Sequence, residues 1–222
     1  MAFILNIETA TKNCSVSLAN DGITIACKEL ATAHFSHAEK LHVFITELLD
    51  ENNIQYAHLE AVAISQGPGS YTGLRIGVSS AKGLCYALTI PLIAVDTLQV
   101  LASQAKTSNG LIIPMLDARR MEVYSAIFTP NLENKRAVQA EIITENSFED
   151  LQETLYFVGD CAEKCKPVLT KENFICLSDI KYPSAAAMSF LSFENYKKNN
   201  FVDVAYFEPY YLKDFMMTVS KK

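Results

Sequence analysis

One glycine-rich segment holds the residues best suited to bind a ligand: Gln66-Gly67-Pro68-Gly69-Ser70-Tyr71-Thr72-Gly73-Leu74-Arg75-Ile76-Gly77. It follows a predicted buried strand and leads into a predicted helix, the position at which α/β folds place ligand-binding loops. Backbone amides at a helix N-terminus attract anions, and nearby hydroxyl and guanidinium groups strengthen the binding. The sequence therefore offers a candidate anion- or nucleotide-binding site formed by Gly67, Gly69, Ser70, Thr72 and Arg75.

A purely structural role for this segment is also open. It matches neither the phosphate loop GxxxxGK[ST] nor the dinucleotide motif GxGxxG. Glycines in such a turn provide the positive φ that a sharp change of chain direction requires. Composition alone does not separate a ligand loop from a tight turn.

Metal binding is not expected, because the histidines and cysteines lack a suitable spacing. His37 and His42 are five residues apart in a predicted helix, which separates their side chains by about 140° around the axis. His34 precedes that helix. Cys161 and Cys165 are four residues apart, but no second Cys or His pair is close in sequence. We therefore expect exposed or interface histidines and two ordinary thiols.

The elements that position these residues follow from apolar periodicity and turn residues. The predicted strands are 3–7, 14–19, 23–30, 61–65, 92–95, 111–116, 121–128, 137–143, 156–158 and 174–177. The predicted helices are 36–52, 74–88, 97–105, 147–153, 162–168 and 184–196. Three strands followed by helix, strand and helix thus occur twice. This predicts an α/β chain with two similar lobes, 1–106 and 107–222, each a mixed sheet flanked by helices.

Two of these helices have surfaces suited to close packing. The helix at 36–52 begins with a predicted capping box, Ser36 and Glu39, and carries an apolar stripe. The helix at 74–88 has small residues every fourth position, and a second line of small residues is formed by Ser79, Gly83 and Ala87. Glycine inside a helix costs about 1 kcal/mol relative to alanine, which indicates a packing reason. The surface that packs there belongs either to this chain or to a second subunit.

Composition excludes several classes of protein. The chain has 222 residues, of which 50% are apolar, enough for one large core or two modest ones. It contains no apolar run of about 18 residues and no secretory type of N-terminus, so we expect a cytoplasmic protein without a membrane span. The net charge is −6 and neither half is basic. Direct binding of tRNA by this chain alone is therefore not expected.

Segment 67–77 resembles the sequence signature of the TsaB (YeaZ) family, bacterial relatives of the ASKHA superfamily of acetate and sugar kinases, Hsp70 and actin. Four further segments resemble family motifs in the same order: Ile4-Leu5-Asn6-Ile7-Glu8-Thr9-Ala10-Thr11, Ser36-His37-Ala38-Glu39-Lys40-Leu41, Leu116-Asp117-Ala118-Arg119-Arg120-Met121-Glu122-Val123-Tyr124 and Pro209-Tyr210-Tyr211-Leu212-Lys213. The resemblance covers nearly the whole chain. It implies an N-terminal ASKHA lobe and a reduced C-terminal lobe.

The resemblance also implies a role in tRNA threonylcarbamoyladenosine biosynthesis. The chain would be a non-catalytic partner of the transferase TsaD, alongside the ATPase TsaE, and would contact tRNA only through that complex. ATP and a metal ion are then expected in the partner subunits and no cofactor in this chain. The same resemblance implies that the helices at 36–52 and 74–88 form the subunit contact. A homodimer is expected when the chain is alone, because an apolar face that fits one partner can accept a copy of itself. The residues predicted for this contact are Leu41, Ile45, Leu48, Gly73, Gly77 and Ala81.

Two other functions are compatible with parts of the sequence. A small ASKHA phosphotransferase or hydrolase would use segment 67–77 for phosphate and Glu8 with Asp117 as paired acids. However, Glu8 is one methylene longer than the usual acid, and the second lobe offers only Gly159-Asp160 as a glycine loop. A glycoprotease-like peptidase is disfavoured because the sequence has neither a Gly-x-Ser-x-Gly elbow nor a His-Glu-x-x-His motif.

Overall fold

The computed structural model of the chain describes residues 1–32, 36–119 and 122–213. The strands in this part are Phe3–Glu8 (β1), Asn13–Asn20 (β2), Ile23–Ala31 (β3), Leu59–Ser65 (β4), Leu92–Val95 (β5), Leu111–Asp117 (β6), Glu122–Phe128 (β7), Asn134–Ile142 (β8), Leu155–Val158 (β9) and Phe174–Cys176 (β10). The α-helices are His37–Glu51 (α1), Tyr71–Leu88 (α2), Thr97–Ala102 (α3), Ala162–Cys165 (α4) and Ala185–Lys197 (α5), and Tyr56–His58 forms a short 3-10 helix. His34, Arg120 and Met121 lie outside the described residues.

The two sheets have the same topology. The first has the order β3-β2-β1-β4-β5, and the second has the order β10-β9-β6-β7-β8. In each sheet, three antiparallel strands are extended on one side by two parallel ones. The predicted repeat of one α/β unit is therefore confirmed.

One face of the first sheet is covered by α1 and α2. Inward-facing side chains of β1, β2 and β4 pack there against the apolar stripe of α1, because alternate residues of a strand point to the same face. The predicted β2–β3 hairpin is confirmed, with positive φ at Asp21 (48°) and Gly22 (83°). These contacts fix α2, and with it the glycine-rich loop that precedes α2, against the ends of β1 and β4.

The opposite face of the first sheet is covered by α5, which comes from the other end of the chain. Met188 and Leu191 of α5 pack on Ile4 and Ile93 of the sheet. Conversely, α3 from the first half of the chain packs on the second sheet, where Leu98 joins a cluster with residues of β6 and β7. The split at 106/107 separates the strands of the two sheets, but the helices α3 and α5 cross it.

Polar side chains also attach α5 to the first sheet. Ser17 Oγ donates to the Ala185 carbonyl at 2.7 Å, and Thr24 Oγ1 donates to Ser189 Oγ at 2.8 Å. The Ala185 amide donates to Ser15 Oγ at 3.0 Å. These hydrogen bonds satisfy polar groups that would otherwise be buried without partners. They also fix the register of α5 on the strands.

The predicted helix at 147–153 is wrong. Phe148 has a φ of 62°, which a continuous right-handed helix does not allow, and the segment forms hydrogen-bonded turns instead. The Phe148 ring is buried, lies 5.6 Å from the Phe157 ring and is covered by the Arg136 guanidinium at 5.1 Å. Burial of one aromatic ring has thus overridden the local helix pattern. The helix predicted at 162–168 is shorter, ending at Cys165.

The predicted capping box of α1 is also wrong. Ser36 is the N-cap residue, but its side chain makes no capping hydrogen bond. Its backbone, at φ −114° and ψ 13°, departs from the extended conformation that directs an N-cap hydroxyl toward the first amides of a helix. Two other helices have side-chain caps: Asp96 accepts from the Gln99 amide at the start of α3, and Ser184 accepts from the Ala186 amide at the start of α5. No helix in the described part of the chain is long and apolar enough to cross a membrane.

Candidate functional site

The glycine-rich loop is packed by the chain itself on two sides. Gly67 has a φ of 116°, and a Cβ at this position would lie 2.6 Å from the Tyr210 carbonyl oxygen. A Cβ on Gly69 would lie 2.4 Å from the Ala10 carbonyl oxygen. Both distances are too short for any side chain, so each glycine is required by a close backbone approach within the monomer.

Several groups that would bind an anion in this loop already have partners in the protein. The Gly67 amide donates to Thr97 Oγ1 at 3.0 Å, and the Ser70 amide donates to the Ala10 carbonyl at 2.6 Å. Ser70 is the N-cap residue of α2, and its hydroxyl accepts from the Gly73 amide at 3.3 Å. These bonds hold the loop as a closed turn and reduce its capacity to cradle a phosphate.

Arg75 and Thr72 do not converge on the loop amides. The guanidinium of Arg75 lies 4.1 Å above the Tyr71 ring, and its Nε donates to Tyr211 Oη at 3.1 Å. The Tyr71 and Tyr211 rings are 4.8 Å apart. Thr72 is exposed on the first turn of α2. The arginine predicted to bind an anion therefore belongs to an aromatic cluster that connects α2 with the C-terminal segment.

Glu8 is a buried acid at the end of β1, in contact with Ser65, the residue that precedes segment 66–77. Its carboxylate accepts hydrogen bonds from Ser65 Oγ and from the Ala10 amide, the latter at 2.6 Å. Burial raises the pKa of the Glu8 carboxyl from 4.5 to about 7, although both hydrogen bonds oppose that rise. Its two described partners belong to β4 and the β1–β2 turn, so the carboxylate connects parts of the fold.

Asp117, the second acid of the predicted pair, lies in a different environment. It is exposed, and its carboxylate accepts from Lys164 Nζ at 3.3 Å. Its backbone amide donates to Asp160 Oδ1 at 3.2 Å. Burial raises the pKa of the Asp160 carboxyl to about 6. Asp117 and Asp160 thus hold together the ends of β6 and β9 in the second lobe.

His37 corrects the prediction of an exposed or interface histidine. Its side chain is 1% exposed, and Nε2 donates to the Thr11 carbonyl at 2.8 Å. Burial lowers the pKa of the imidazole. His42 is exposed, as predicted, and its Nε2 lies 3.1 Å from Ser80 Oγ on α2. In the described ranges, no group of three or more His, Cys, Asp or Glu side chains is arranged to hold a metal ion.

Cys161 and Cys165 have the properties of ordinary packed thiols. Both are buried in the apolar cluster of the second sheet, and burial raises the pKa of each thiol. A thiol with a raised pKa is a poor nucleophile at neutral pH, because the thiolate is the reactive form.

The residues predicted to contact a partner are inside the monomer, which corrects that prediction at the residue level. Leu41, Ile45 and Leu48 are at most 1% exposed and belong to the core under α1. A Cβ on Gly73 would lie 2.1 Å from the Thr9 carbonyl oxygen, and one on Gly77 would lie 2.2 Å from Thr9 Oγ1. Ala81 is fully buried in the same core. The chain's own β1–β2 turn therefore accounts for this line of small residues.

The outward side of α2 is different. A Cβ on Gly83 would meet no atom within 4 Å, and the Tyr86 side chain is 85% exposed. Beside them is a groove of about 580 Å³ lined by Lys82, Gly83, Tyr86, Asp203, Val204 and Ala205. On α1, the neighbouring helix, Val43 is 45% exposed. The second line of small residues, which includes Gly83, was the signal in the sequence for this surface.

Comparison with known proteins identifies the family. The family described as "TsaD: tRNA N6-adenosine threonylcarbamoyltransferase" matches residues 31–207. The Escherichia coli "tRNA threonylcarbamoyladenosine biosynthesis protein TsaB" is 32% identical over 222 residues, covering 95% of this chain and 94% of that protein. The chain belongs to the TsaB (YeaZ) family. The resemblance of its motifs is thereby confirmed, and its family is that of the tRNA threonylcarbamoyladenosine biosynthesis proteins.

Solved structures agree with this assignment. The TsaB-family protein YeaZ from Pseudomonas aeruginosa superimposes with a TM-score of 0.80 at 25% identity, covering 96% of this chain and all of that chain. The activator of 2-hydroxyisocaproyl-CoA dehydratase from Clostridium difficile, with bound ADPNP, has a TM-score of 0.52 at 8% identity and covers 90% of this chain and 96% of its own. The second likeness shows the fold alone. It confirms the predicted two-lobe ASKHA fold of the TsaB-family chain.

Proposed function

We propose that the chain is a non-catalytic subunit of the complex that forms threonylcarbamoyladenosine in tRNA. In this proposal it binds a TsaD-like transferase and acts beside a TsaE-like ATPase, which supply ATP and metal chemistry. It contacts tRNA only within that assembly. The proposal keeps the predicted cytoplasmic location, and it rests on family membership together with one feature of α2.

The outward side of α2 is the observation that carries the proposal. Gly83 is exposed in the fourth turn of the helix, has no neighbour within reach of a Cβ and has no positive φ. A glycine that costs helix stability and meets nothing in the monomer suggests that another backbone approaches it closely. Tyr86, an aromatic of the kind that often anchors interfaces, projects one turn further along.

Charge on the two helices is compatible with an asymmetric contact. The exposed residues of α1 include acids at Glu39, Glu47 and Asp50, whereas the charged residues of α2 are Arg75 and Lys82. A partner with a basic face toward α1 and an acidic face toward α2 would complement both. A second copy of this chain could satisfy the same requirement when the partner is absent, giving the predicted homodimer.

The hydrogen bonds of the glycine-rich loop and the burial of Glu8 support a role in which this chain performs no chemistry of its own. Of the candidate anion site, Gly67, Ser70 and Arg75 are engaged by Thr97, Ala10 and Tyr211. Glu8 is buried, and its carboxylate is hydrogen-bonded within the fold. The alternative of an ASKHA phosphotransferase requires those groups to be released. Calorimetric titration of the isolated chain with Mg-ATP distinguishes the two: we expect no binding, whereas turnover that is lost in Glu8→Ala would favour the alternative.

The partner contact is tested with variants on the outward side of α2. We expect Gly83→Arg and Tyr86→Ala to fold normally and to weaken binding of the same organism's TsaD-like protein by about tenfold or more. Restoration of tRNA modification in a reconstituted mixture should fall in parallel. Phe190→Ala is the matched control, since Phe190 is a 59% exposed aromatic on α5, across the first sheet.

Unchanged binding by both α2 variants would overturn the interface assignment. Gly77→Arg does not test it, because Gly77 lies against Thr9 and Ile64 and a large side chain there would disrupt folding. Sedimentation of the wild-type chain and of Gly83→Arg would test the homodimer in the same way.

A further inference from the structure

The C-terminal segment of the described chain, residues 201–213, returns from α5 along the first lobe. The Val202 amide donates to the Leu92 carbonyl at 3.0 Å, which adds a single bridge to β5. Lys82 Nζ on α2 then donates to the carbonyls of Ala205 at 3.1 Å and Phe207 at 3.0 Å. The segment is thus attached to both β5 and α2 by its backbone.

Next, the same segment reaches the glycine-rich loop. The Tyr210 amide donates to the Gln66 carbonyl at 2.7 Å, and the Tyr210 carbonyl occupies the space beside Gly67. The following residue, Tyr211, packs its ring on Tyr71 and accepts a hydrogen bond from Arg75. Two adjacent residues therefore fix the segment to the loop and to the first turns of α2.

Two residues further on, the segment reaches the second lobe. Lys213 forms an ion pair with Glu122, the first residue of β7. Both side chains are partly shielded, with 34% and 30% exposure, so solvent screens this ion pair less than a fully exposed one. Since two residues of extended chain span at most about 7 Å, a shift of Tyr211 cannot be absorbed freely before Lys213.

We infer that residues 201–213 form a strap that couples the position of α2 and its glycine-rich loop to strand β7 of the second lobe. The strap transmits displacement because its contacts with α2, with the loop and with β7 follow one another without a flexible interval. A shift of the first turns of α2 moves the Arg75–Tyr211 contact and, through it, the Lys213–Glu122 pair. The inference concerns the chain by itself and does not depend on the proposed function.

Hydrogen–deuterium exchange of the full chain tests the strap. We expect Tyr211→Ala to accelerate exchange by roughly three- to tenfold both in 66–75 and in 122–128, because Tyr211 contacts the start of α2 directly and also holds the chain that brings Lys213 to β7. Lys213→Gln should accelerate exchange in 122–128 and leave 66–75 as in the wild type. Tyr206→Ala is the matched control within the strap, since that side chain is 85% exposed, and it should leave both regions unchanged.

Unchanged exchange in 122–128 of Tyr211→Ala would overturn the inference, because the strap would then end at α2. Equal acceleration in Tyr206→Ala would overturn it as well, since the effect would be a general loss of stability. If Tyr211→Ala does not fold, Tyr211→Phe decides: it keeps the ring and removes the hydroxyl that binds Arg75. A smaller acceleration in 122–128 is then expected, and none would contradict the strap.

Discussion

At the scale of single residues, polar groups around the β1–β2 turn hold the fold together. Thr9 Oγ1 donates to the Gly73 carbonyl at 2.8 Å, and His37 Nε2 donates to the Thr11 carbonyl. The Glu8 carboxylate accepts hydrogen bonds from Ser65 Oγ and from the Ala10 amide. Each connects the β1–β2 turn to a neighbouring element. Glu8, which the sequence offers as one of two paired acids, therefore has a structural explanation at this position.

Glu8 gives a pH dependence with a definite sign. Its pKa is raised from 4.5 to about 7 in the folded chain, so the folded state binds more protons than the unfolded state between these values. The free energy of unfolding contributed by Glu8 is therefore fully present below pH 4.5, falls as the pH rises to 7 and is constant above. The whole change amounts to about 3 kcal/mol. Glu8→Gln removes this titration.

Urea unfolding of the wild type and Glu8→Gln at several pH values from 4.5 to 8 measures the effect. The difference in unfolding free energy between the two proteins isolates Glu8 from His37 and Asp160, which titrate in both. We expect the wild type to lose stability relative to Glu8→Gln as the pH rises. A difference that is the same at pH 5 and pH 7.5 would contradict the raised pKa.

At the scale of elements, α2 has two glycine-bearing sides with different tasks. Gly73 and Gly77 face the β1–β2 turn, where any Cβ would collide with Thr9. Gly83 faces outward over the groove beside Tyr86. The helix can therefore hold the loop in place with one side while the other remains available to a partner.

Alanine substitutions on the two sides of α2 should change the free energy of unfolding in opposite directions. Gly73→Ala gains up to about 1 kcal/mol of helix propensity but forces the Thr9 backbone to move, so we expect a net loss of about 1–3 kcal/mol. Gly83→Ala meets no clash and should stabilise the chain by about 0.5–1 kcal/mol. Thermal or urea unfolding measures both. Equal effects of the two substitutions would show that α2 is not oriented as described.

At the scale of the whole molecule, the two lobes are built by exchange of helices. The first sheet buries Ile4 and Ile93 under Met188 and Leu191 of α5, and the second sheet buries part of its face under α3. Each half of the chain therefore leaves an apolar sheet face uncovered without the other. The polar contacts of Ser17, Thr24 and Ser189 in this seam add specificity to that packing.

A fragment of residues 1–106 should therefore fail to fold as a cooperative unit. Its sheet would expose the face that α5 covers, and its α3 would lose the second sheet, so we expect a broad thermal transition and binding of hydrophobic dyes. Circular dichroism during heating checks this against the full chain. Joining residues 183–213 to the fragment through a flexible linker should restore cooperativity in part. A sharp transition of 1–106 alone would establish it as an independent domain.

Local sequence determined much of the architecture. Alternating and helical periodicity gave the order of strands and helices, since each element must bury one face. Asp21-Gly22 gave the hairpin because both residues tolerate positive φ. The repeated order of elements predicted two similar sheets, and the residues of segment 67–77 indicated the family. The position of Gly83 on a second line of small residues was visible as well.

Tertiary structure decided what each of these features does. Gly67 meets Tyr210, and α5 meets β1, through contacts between residues more than a hundred positions apart, which no local pattern encodes. The helix predicted at 147–153 does not form, because burial of the Phe148 ring outweighs the local helix propensity. Gly73 and Gly77 are required to lack a side chain because Thr9 lies against them in the folded chain. The sequence by itself thus determined the elements and the family, whereas only packing determined which faces are used inside the chain and which remain for a partner.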